Sequence, residues 1–369
     1  MFKGAFKRTT SSGNYIAEID GFRFLAIFLV IAFHNNIWSN ELHGLNKSSF
    51  YKIIDMGNIG VQFFFVISGF IIAMPFIKSF TQNREINLGS YFLRRFTRLE
   101  PPYLIAMFGF YTAAFFLSTH NLDNLIKHYL ATIIYSHGFI FDTRSLINSV
   151  SWSLEIEIQF YIIAPILFFI FKIKTKIIVI TLLSIISVLW PLLFDIIGYN
   201  YLNILGYFHY FTFGALLCYI YLNYKFTSSY LFDLLSVILF FLIFVLFRHK
   251  QFFINYFLGI TIFLIYLFLL NSKLIIKFFR LEIISTIGGM CYSIYLIHSP
   301  LTSYLKKVQY HFISFNSYEI DFIIGLLIIL PIVIVSSSIF FILIEKPFMS
   351  FKAKDLRKNL LAYRNNQIK

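Results

Sequence analysis

The chain has 369 residues, of which 59% are hydrophobic and only 13% charged, and its mean hydropathy is +0.76. Soluble domains carry about 45–50% apolar and about 25% charged residues. A soluble enzyme, a disordered chain and a surface-bound amphipathic protein are therefore excluded in favour of an all-α integral membrane protein. The formal charge of +14 fits either a nucleic-acid partner or a topological bias, and the positions of the basic residues decide which.

Taken along the chain, apolar runs lie at 22–38, 59–77, 102–118, 150–171, 177–195, 202–222, 230–247, 252–270, 284–304 and 322–344. Each is near the ~20 residues that a membrane crossing needs, which predicts about ten transmembrane helices. The first follows only Lys3, Lys7 and Arg8 and has no small-x-small cleavage site after Trp38, so it reads as a span and not as a signal peptide. The stretch 125–141 is short and carries His128 and His137, which predicts an interfacial or re-entrant helix. With both termini cytoplasmic, Lys78, Arg84, Arg94, Arg95, Arg98, Lys172, Lys174 and Lys176 all fall inside. Lys47, Lys52, Lys127, Arg144, Arg248, Lys250, Lys306 and Lys307 fall in outside loops. Promoting 125–141 to a span would move Lys172, Lys174 and Lys176 outside, against the positive-inside rule. The charge is thus mostly a topology signal, and no nucleic-acid partner is expected. Residues 1–350 read as one membrane domain without a separate soluble domain, and 351–369 as a basic cytoplasmic tail. Cys218 and Cys291 sit inside apolar runs, so neither a disulfide framework nor a metal site is expected.

Ionisable groups inside spans cost about 2.5–3.5 kcal/mol each on insertion scales and mark functional candidates. Here they are Asp20, Arg23, His34, Glu155, Glu157, His298 and Glu345, with Asp195, Asp233 and His209 near span ends or off any pattern. Arg23 and His34 are nearly three helical turns apart, on one face and about 16 Å along the axis, and Asp20 is placed to pair with Arg23. Helix rise from each span centre puts His34, His298 and Glu157 at one level, about 6 Å to the outer side of the midplane. That coincidence predicts one buried polar site, in which a His–Glu pair would serve as a general base with its orienter. Ser153, Glu157 and Tyr161 share a face, whereas Glu155 is turned away. Arg95 and Arg98, just ahead of Pro101 and Pro102, read either as a positive-inside anchor or as a clamp for a polyphosphate, which guanidinium forks bind bidentately. Ser68-Gly69 reads as helix packing.

These residues stand in a recognisable order. Asp20-Gly21-x-Arg23 is followed after ten residues by His34, then by Gly60-Val61 and Phe64-Phe65-Val66-Ile67-Ser68-Gly69-Phe70, then by Arg95-x-x-Arg98 with Pro101 and Tyr103. Next come Trp152-Ser153-Leu154-x-x-Glu157-x-Gln159-Phe160-Tyr161, the run Tyr292 to Pro300 around His298, and Glu345-Lys346-Pro347-Phe348. Over nearly its whole length the sequence resembles acyltransferase family 3 of integral membrane proteins. Two departures stand out: Ile158 replaces a second Glu that the family often carries, and the chain ends soon after the last span, where many members add an extra-cytoplasmic hydrolase-like domain. The membrane domain is accordingly expected to work alone or with a partner.

The resemblance implies a ten-helix protein of the bacterial cytoplasmic membrane. It would transfer an acyl group, most often acetyl, from cytoplasmic acyl-CoA to a sugar hydroxyl of a cell-surface or lipid-linked polysaccharide such as O-antigen, capsule or exopolysaccharide. By that analogy His34 is catalytic with Glu157 in support, Arg23, Arg95 and Arg98 serve the donor, and no metal takes part. Asp20, Trp152, Ser153, Tyr161 and His298 are expected to support the site. The rival readings are a glycan transporter or flippase, which would show repeats or matched broken helices, and a glycan polymerase, which would want acidic residues or large outer loops.

Overall fold

The computed structural model describes residue 6 and residues 15–44, 48–117, 121–196, 202–247 and 254–349. The expected tail at 351–369 and the topology charges Lys3, Lys7, Arg8, Lys47, Arg248 and Lys250 lie outside the described residues. What is described is helical, with a single isolated bridge between Ser229 and Ser272. In chain order the helices are α1 (Ala17–Leu42), α2 (Ser49–Asp55), α3 (Gly60–Thr81), α4 (Leu88–Leu117), α5 (Leu122–Ile133), α6 (His137–Phe141), α7 (Ser151–Leu167) and α8 (Lys176–Ile196). They continue with α9 (Ile204–Asn223), α10 (Tyr230–Phe247), α11 (Ile254–Leu270), α12 (Ile275–Phe279), α13 (Glu282–Gly289), α14 (Cys291–Phe312), α15 (Tyr318–Phe340) and α16 (Lys346–Met349).

Five helical stretches among the described residues are long and apolar enough to cross a membrane: Ser49–Thr81, Ser151–Lys172, Lys176–Leu193, Ile204–Asn223 and Tyr318–Met349. The helices α1, α4 and α14 have the length, at 26, 30 and 22 residues, but charges dilute their hydropathy. Those charges include Arg23 in α1, Arg95 and Arg98 in α4, and Lys306 in α14. The least apolar long helices are thus the ones that carry the candidate site. Bulky side chains such as Phe116, Ile166 and Leu343 are more than two-thirds exposed, as a lipid-facing perimeter requires.

The centre is built by close backbone approach. A Cβ on Gly69 would stand 2.1 Å from the Phe211 carbonyl oxygen, and one on Gly214 would stand 2.0 Å from that of Val66. Only glycine lets α3 and α9 touch in this way, so the packing role expected of Gly69 holds.

Three expectations change. The run 284–304 is not one helix: it breaks at Met290 between α13 and α14. Gly288 explains the break, because a Cβ there would lie 1.7 Å from the Asp20 carbonyl oxygen, so α13 is pressed backbone-to-backbone on α1 and α14 sets off afresh. The restarted helix runs on to Phe312 and carries Lys306 inward, away from the loop expected for it. There it is fully buried, paired with Asp321 at 2.9 Å and donating to Gln309 at 2.8 Å. Burying an ammonium is tolerated only with such a partner and satisfied protons.

Pro101 and Pro102 do not open a new helix either. They lie inside α4, where each removes one N–H and frees a carbonyl four residues back, at Thr97 and Arg98, without ending the helix. Finally, 125–141 forms two short helices, α5 and α6, joined at Tyr135, whose φ is +56°. Neither is long enough to cross a bilayer. The His128 and His137 rings meet, Nδ1 to Nε2, at 2.7 Å and hold the pair together.

Candidate active site

Two cavities lie next to each other in the helix bundle. The first, about 740 Å³ including its open mouth, is lined by Arg23 of α1, Ser68 of α3, Arg95 and Arg98 of α4, Ser153, Glu157 and Tyr161 of α7, and Tyr292 and Tyr295 of α14. Arg23 donates to Asp20 at 3.0 Å, the pairing that the i, i+3 spacing predicts. The Arg95 guanidinium lies 5.2 Å from the Tyr161 ring centre, and the Tyr91 hydroxyl donates to the Tyr161 carbonyl at 3.2 Å, so ring and cation are held in place together. Neither Arg95 nor Arg98 forms an ion pair with a described residue, and Arg98 Nε is buried without a hydrogen-bond partner among them. Two arginines with no ion-pair partner among the described residues, in a partly enclosed space that they share with Arg23 and Glu157, are suited to a multiply charged anion.

The second cavity, about 610 Å³ including its open mouth, is lined by His34 of α1, Asn58, Gln62 of α3, Arg144, Trp152 of α7, Tyr207 of α9 and Tyr295. His34 is buried, and its ring packs edge-on against His298 with centroids 5.0 Å apart. His298 meets the Tyr295 carbonyl through Nδ1 at 2.8 Å. Since a carbonyl only accepts, that nitrogen carries the proton and Nε2 is left as an acceptor, unpartnered among the described residues.

Val61 and Tyr295 line both cavities. The Tyr295 hydroxyl and Ser153 Oγ are 2.6 Å apart, so a residue at the boundary is hydrogen-bonded from α14 to α7 on the arginine side.

Glu157 is the residue that sequence reasoning placed wrongly. Its carboxylate accepts from Ser68 Oγ at 2.7 Å and from the Tyr161 hydroxyl at 2.5 Å, and it faces the arginine cavity with Arg23; it is not the partner of His34. The ionisable side chain that His34 meets is His298. Helix rise gave Glu157 a depth measured from an assumed span centre, but α7 starts below a covering segment. Ser151 is buried at its first residue, and Gly138 of α6 donates to Glu155 at 3.0 Å. Glu155, turned away from the cavity as expected, anchors that cover. Tyr161 and Ser153 line the arginine cavity, and Trp152 the histidine cavity. Glu345 closes the end of α15 by accepting from the Ser293 amide at 3.2 Å and its hydroxyl at 2.5 Å, in the first turn of α14, a structural role.

Several lining residues were not foreseen, among them Asn58, Gln62, Tyr295, Tyr207 and Arg144. Tyr295 lies one turn before His298 in the same motif and could have been found from that spacing. Tyr207 and Arg144 belong to an apolar run and a loop, and neither position carries a periodic signal.

The sequence pattern of acyltransferase family 3, described as an acyltransferase domain, matches residues 16–343. The chain belongs to this acyltransferase family. It is 33% identical over 171 residues to the peptidoglycan O-acetyltransferase OatA of Listeria monocytogenes, covering 43% of this chain and 25% of that protein. It is 29% identical over 163 residues to a putative O-acetyltransferase of Staphylococcus aureus strain COL, covering 42% and 25%. It is 28% identical over 167 residues to the putative peptidoglycan O-acetyltransferase YrhL of Bacillus subtilis, covering 42% and 24%. The chain therefore spans about a quarter of the length of these relatives. No solved structure is significantly similar to it.

Proposed function

We propose that this chain moves an acetyl group from acyl-CoA, held in the arginine cavity, to a sugar hydroxyl presented in the His34 cavity. The observation that carries the reading is the pair of abutting cavities, one lined by three arginines, of which Arg95 and Arg98 have no ion-pair partner among the described residues, and the other by a buried histidine, with Val61 and Tyr295 shared by both. Arg95 and Arg98 bind the CoA phosphates, and Arg23 guides the pantetheine arm. The arm has about 16 Å to cover from Arg23 to His34 by helix rise.

The chemistry at the far end balances without other groups. His34 takes the proton from the acceptor hydroxyl as its oxygen attacks the thioester carbonyl. The tetrahedral adduct then collapses, the C–S bond breaks, and the leaving thiolate takes the proton back from His34. Such a base is worth about 10²–10⁴-fold. His298 positions the imidazole, while Glu157 holds α7 to α3 beside the donor.

In this reading α1, α3, α4, α7, α8, α9, α10, α11, α14 and α15 cross the bacterial cytoplasmic membrane, with both termini cytoplasmic. The arginine cavity then opens to the cytoplasm, where acyl-CoA is made. The acceptor is a surface or lipid-linked glycan. Relatives named for peptidoglycan favour a wall polymer within a class that also includes O-antigen, capsule and exopolysaccharide.

The test is to incubate membranes containing the chain with acetyl-CoA labelled in the acetyl group. Label should appear in alkali-labile ester on glycan with the wild type and fall by at least 10² with His34→Ala. Label on glycan at the wild-type rate with the variant would overturn the assignment.

A further inference from the structure

The residue in the His34 cavity that the reaction above does not use is Arg144. It lies in the exposed loop between α6 and α7, at the rim of the cavity, and makes no hydrogen bond or ion pair with any described residue. It lines the cavity together with His34, Tyr207 and Tyr295.

The loop is not free to carry it off. On one side the Thr143 carbonyl meets His137 Nδ1 at 3.1 Å, and on the other Ser145 Oγ meets Thr132 Oγ1 at 2.7 Å. Asn148 then donates to the carbonyl of Leu296, between Tyr295 and His298, at 3.1 Å. A cation without a partner, fixed on both flanks above a cavity, is built for an anion that comes from outside.

Its neighbours say what else that ligand must be. Trp152 and Tyr207 present rings 5.3 Å apart at 47°, an aromatic corner against which a sugar ring packs its C–H face. Asn58 Oδ1 is buried in the same lining with no partner among the described residues, an acceptor suited to a hydroxyl.

We infer that the His34 cavity selects a glycan acceptor bearing a negative group, with Arg144 binding that group at the rim while the sugar to be acylated packs on Trp152 and Tyr207. The inference rests on the proposed function for the identity of the cavity as the acceptor site. The anion is a carboxylate on the sugar or a phosphate of a lipid carrier, and both present oxygens to the same guanidinium fork.

The experiment measures equilibrium binding to the purified chain in lipid nanodiscs without any acyl donor, so that a failure of catalysis does not bear on it. The probes are a neutral β-1,4-linked N-acetylglucosamine tetramer, the alternating tetramer with N-acetylmuramic acid carrying free lactyl carboxylates, the same tetramer with its carboxyls reduced, and a neutral sugar on undecaprenyl diphosphate. Wild-type protein should bind at least one anionic probe about 10–100-fold more tightly than its neutral counterpart. Arg144→Gln should erase that preference without changing affinity for the neutral tetramer, and Arg144→Lys should restore part of it. A preference for the carboxylated tetramer that vanishes on reduction assigns the anion to the sugar, and a preference for the diphosphate alone assigns it to the carrier. Equal binding of all four probes by the wild type, or a preference that survives Arg144→Gln, overturns the inference. If binding follows the inference but labelled acetyl does not reach glycan, it is the proposed function that fails.

Discussion

The two cavities are made from different kinds of material. The arginine cavity is lined by five helices, α1, α3, α4, α7 and α14, and several of its polar side chains are tied to neighbours: Arg23 to Asp20, Glu157 to Ser68 and Tyr161, Arg95 over Tyr161. The histidine cavity takes Arg144 from a loop and Asn58 from the approach to α3, and it leaves Asn58 Oδ1 and His298 Nε2 without partners among the described residues. A fixed set of cations suits one invariant ligand, whereas a rim assembled from loops suits a ligand that differs between relatives. Under the proposed function, the contrast makes donor and acceptor recognition physically separable, and it can be broken by experiment.

The largest effect is expected from Arg95→Ala with Arg98→Ala. Each charge-assisted hydrogen bond is worth about 1.5–3 kcal/mol, so losing the pair should weaken acetyl-CoA binding by at least 10². Acceptor affinity should stay unchanged, read by titrating each ligand separately. Donor binding within twofold of wild type would show that these arginines are only a membrane anchor.

Next come two variants that divide the cavities at Tyr295. His298→Asn should lower kcat by less than the ~10²–10⁴ that the base itself is worth, and should shift the pH profile of kcat because the neighbour of His34 has changed. Glu157→Gln should leave that profile in place and act on donor KM, since its partners are Ser68 and Tyr161. The opposite pattern would return Glu157 to the role that the sequence suggested.

The smallest effect concerns acid. Burial and the adjoining His128 ring hold His137 below the ordinary histidine value. The opened form of α5–α6 therefore binds a proton at a higher pH than the closed form. Closure is at full strength above about pH 6.5 and weakens as pH falls through that value toward the lowered one. Amide exchange over 122–141 should speed up below about pH 6 beyond its intrinsic trend, with α3 and α9 unaffected. Because α5–α6 hold the Arg144 loop, acceptor KM should rise with it while donor affinity does not. Exchange that shows no such acid acceleration would remove the His pair as the clasp.

Much of this was legible in the sequence for reasons that can be named. Continuous apolar runs give α3, α7, α8, α9 and α15, and the spacing of Asp20, Arg23 and His34 gives their common helix. What was not legible depends on contacts far along the chain. The break at Met290 follows from Gly288 meeting Asp20, and the burial of Lys306 follows from Asp321 on the next helix. The misplacement of Glu157 has the same origin, because helix rise measures distance along an axis but not how deep the helix begins. Arg144 escaped because a loop has no period from which to read a face.

The central claim is that His34 acts on the acceptor side of a boundary at Tyr295 and does not hold the donor. The most direct measurement is equilibrium binding of acetyl-CoA to purified His34→Ala in nanodiscs, paired with its transfer activity. The account predicts donor affinity within about twofold of wild type alongside a loss of transfer of at least 10². Loss of donor binding comparable to that of the Arg95 and Arg98 double variant would contradict it.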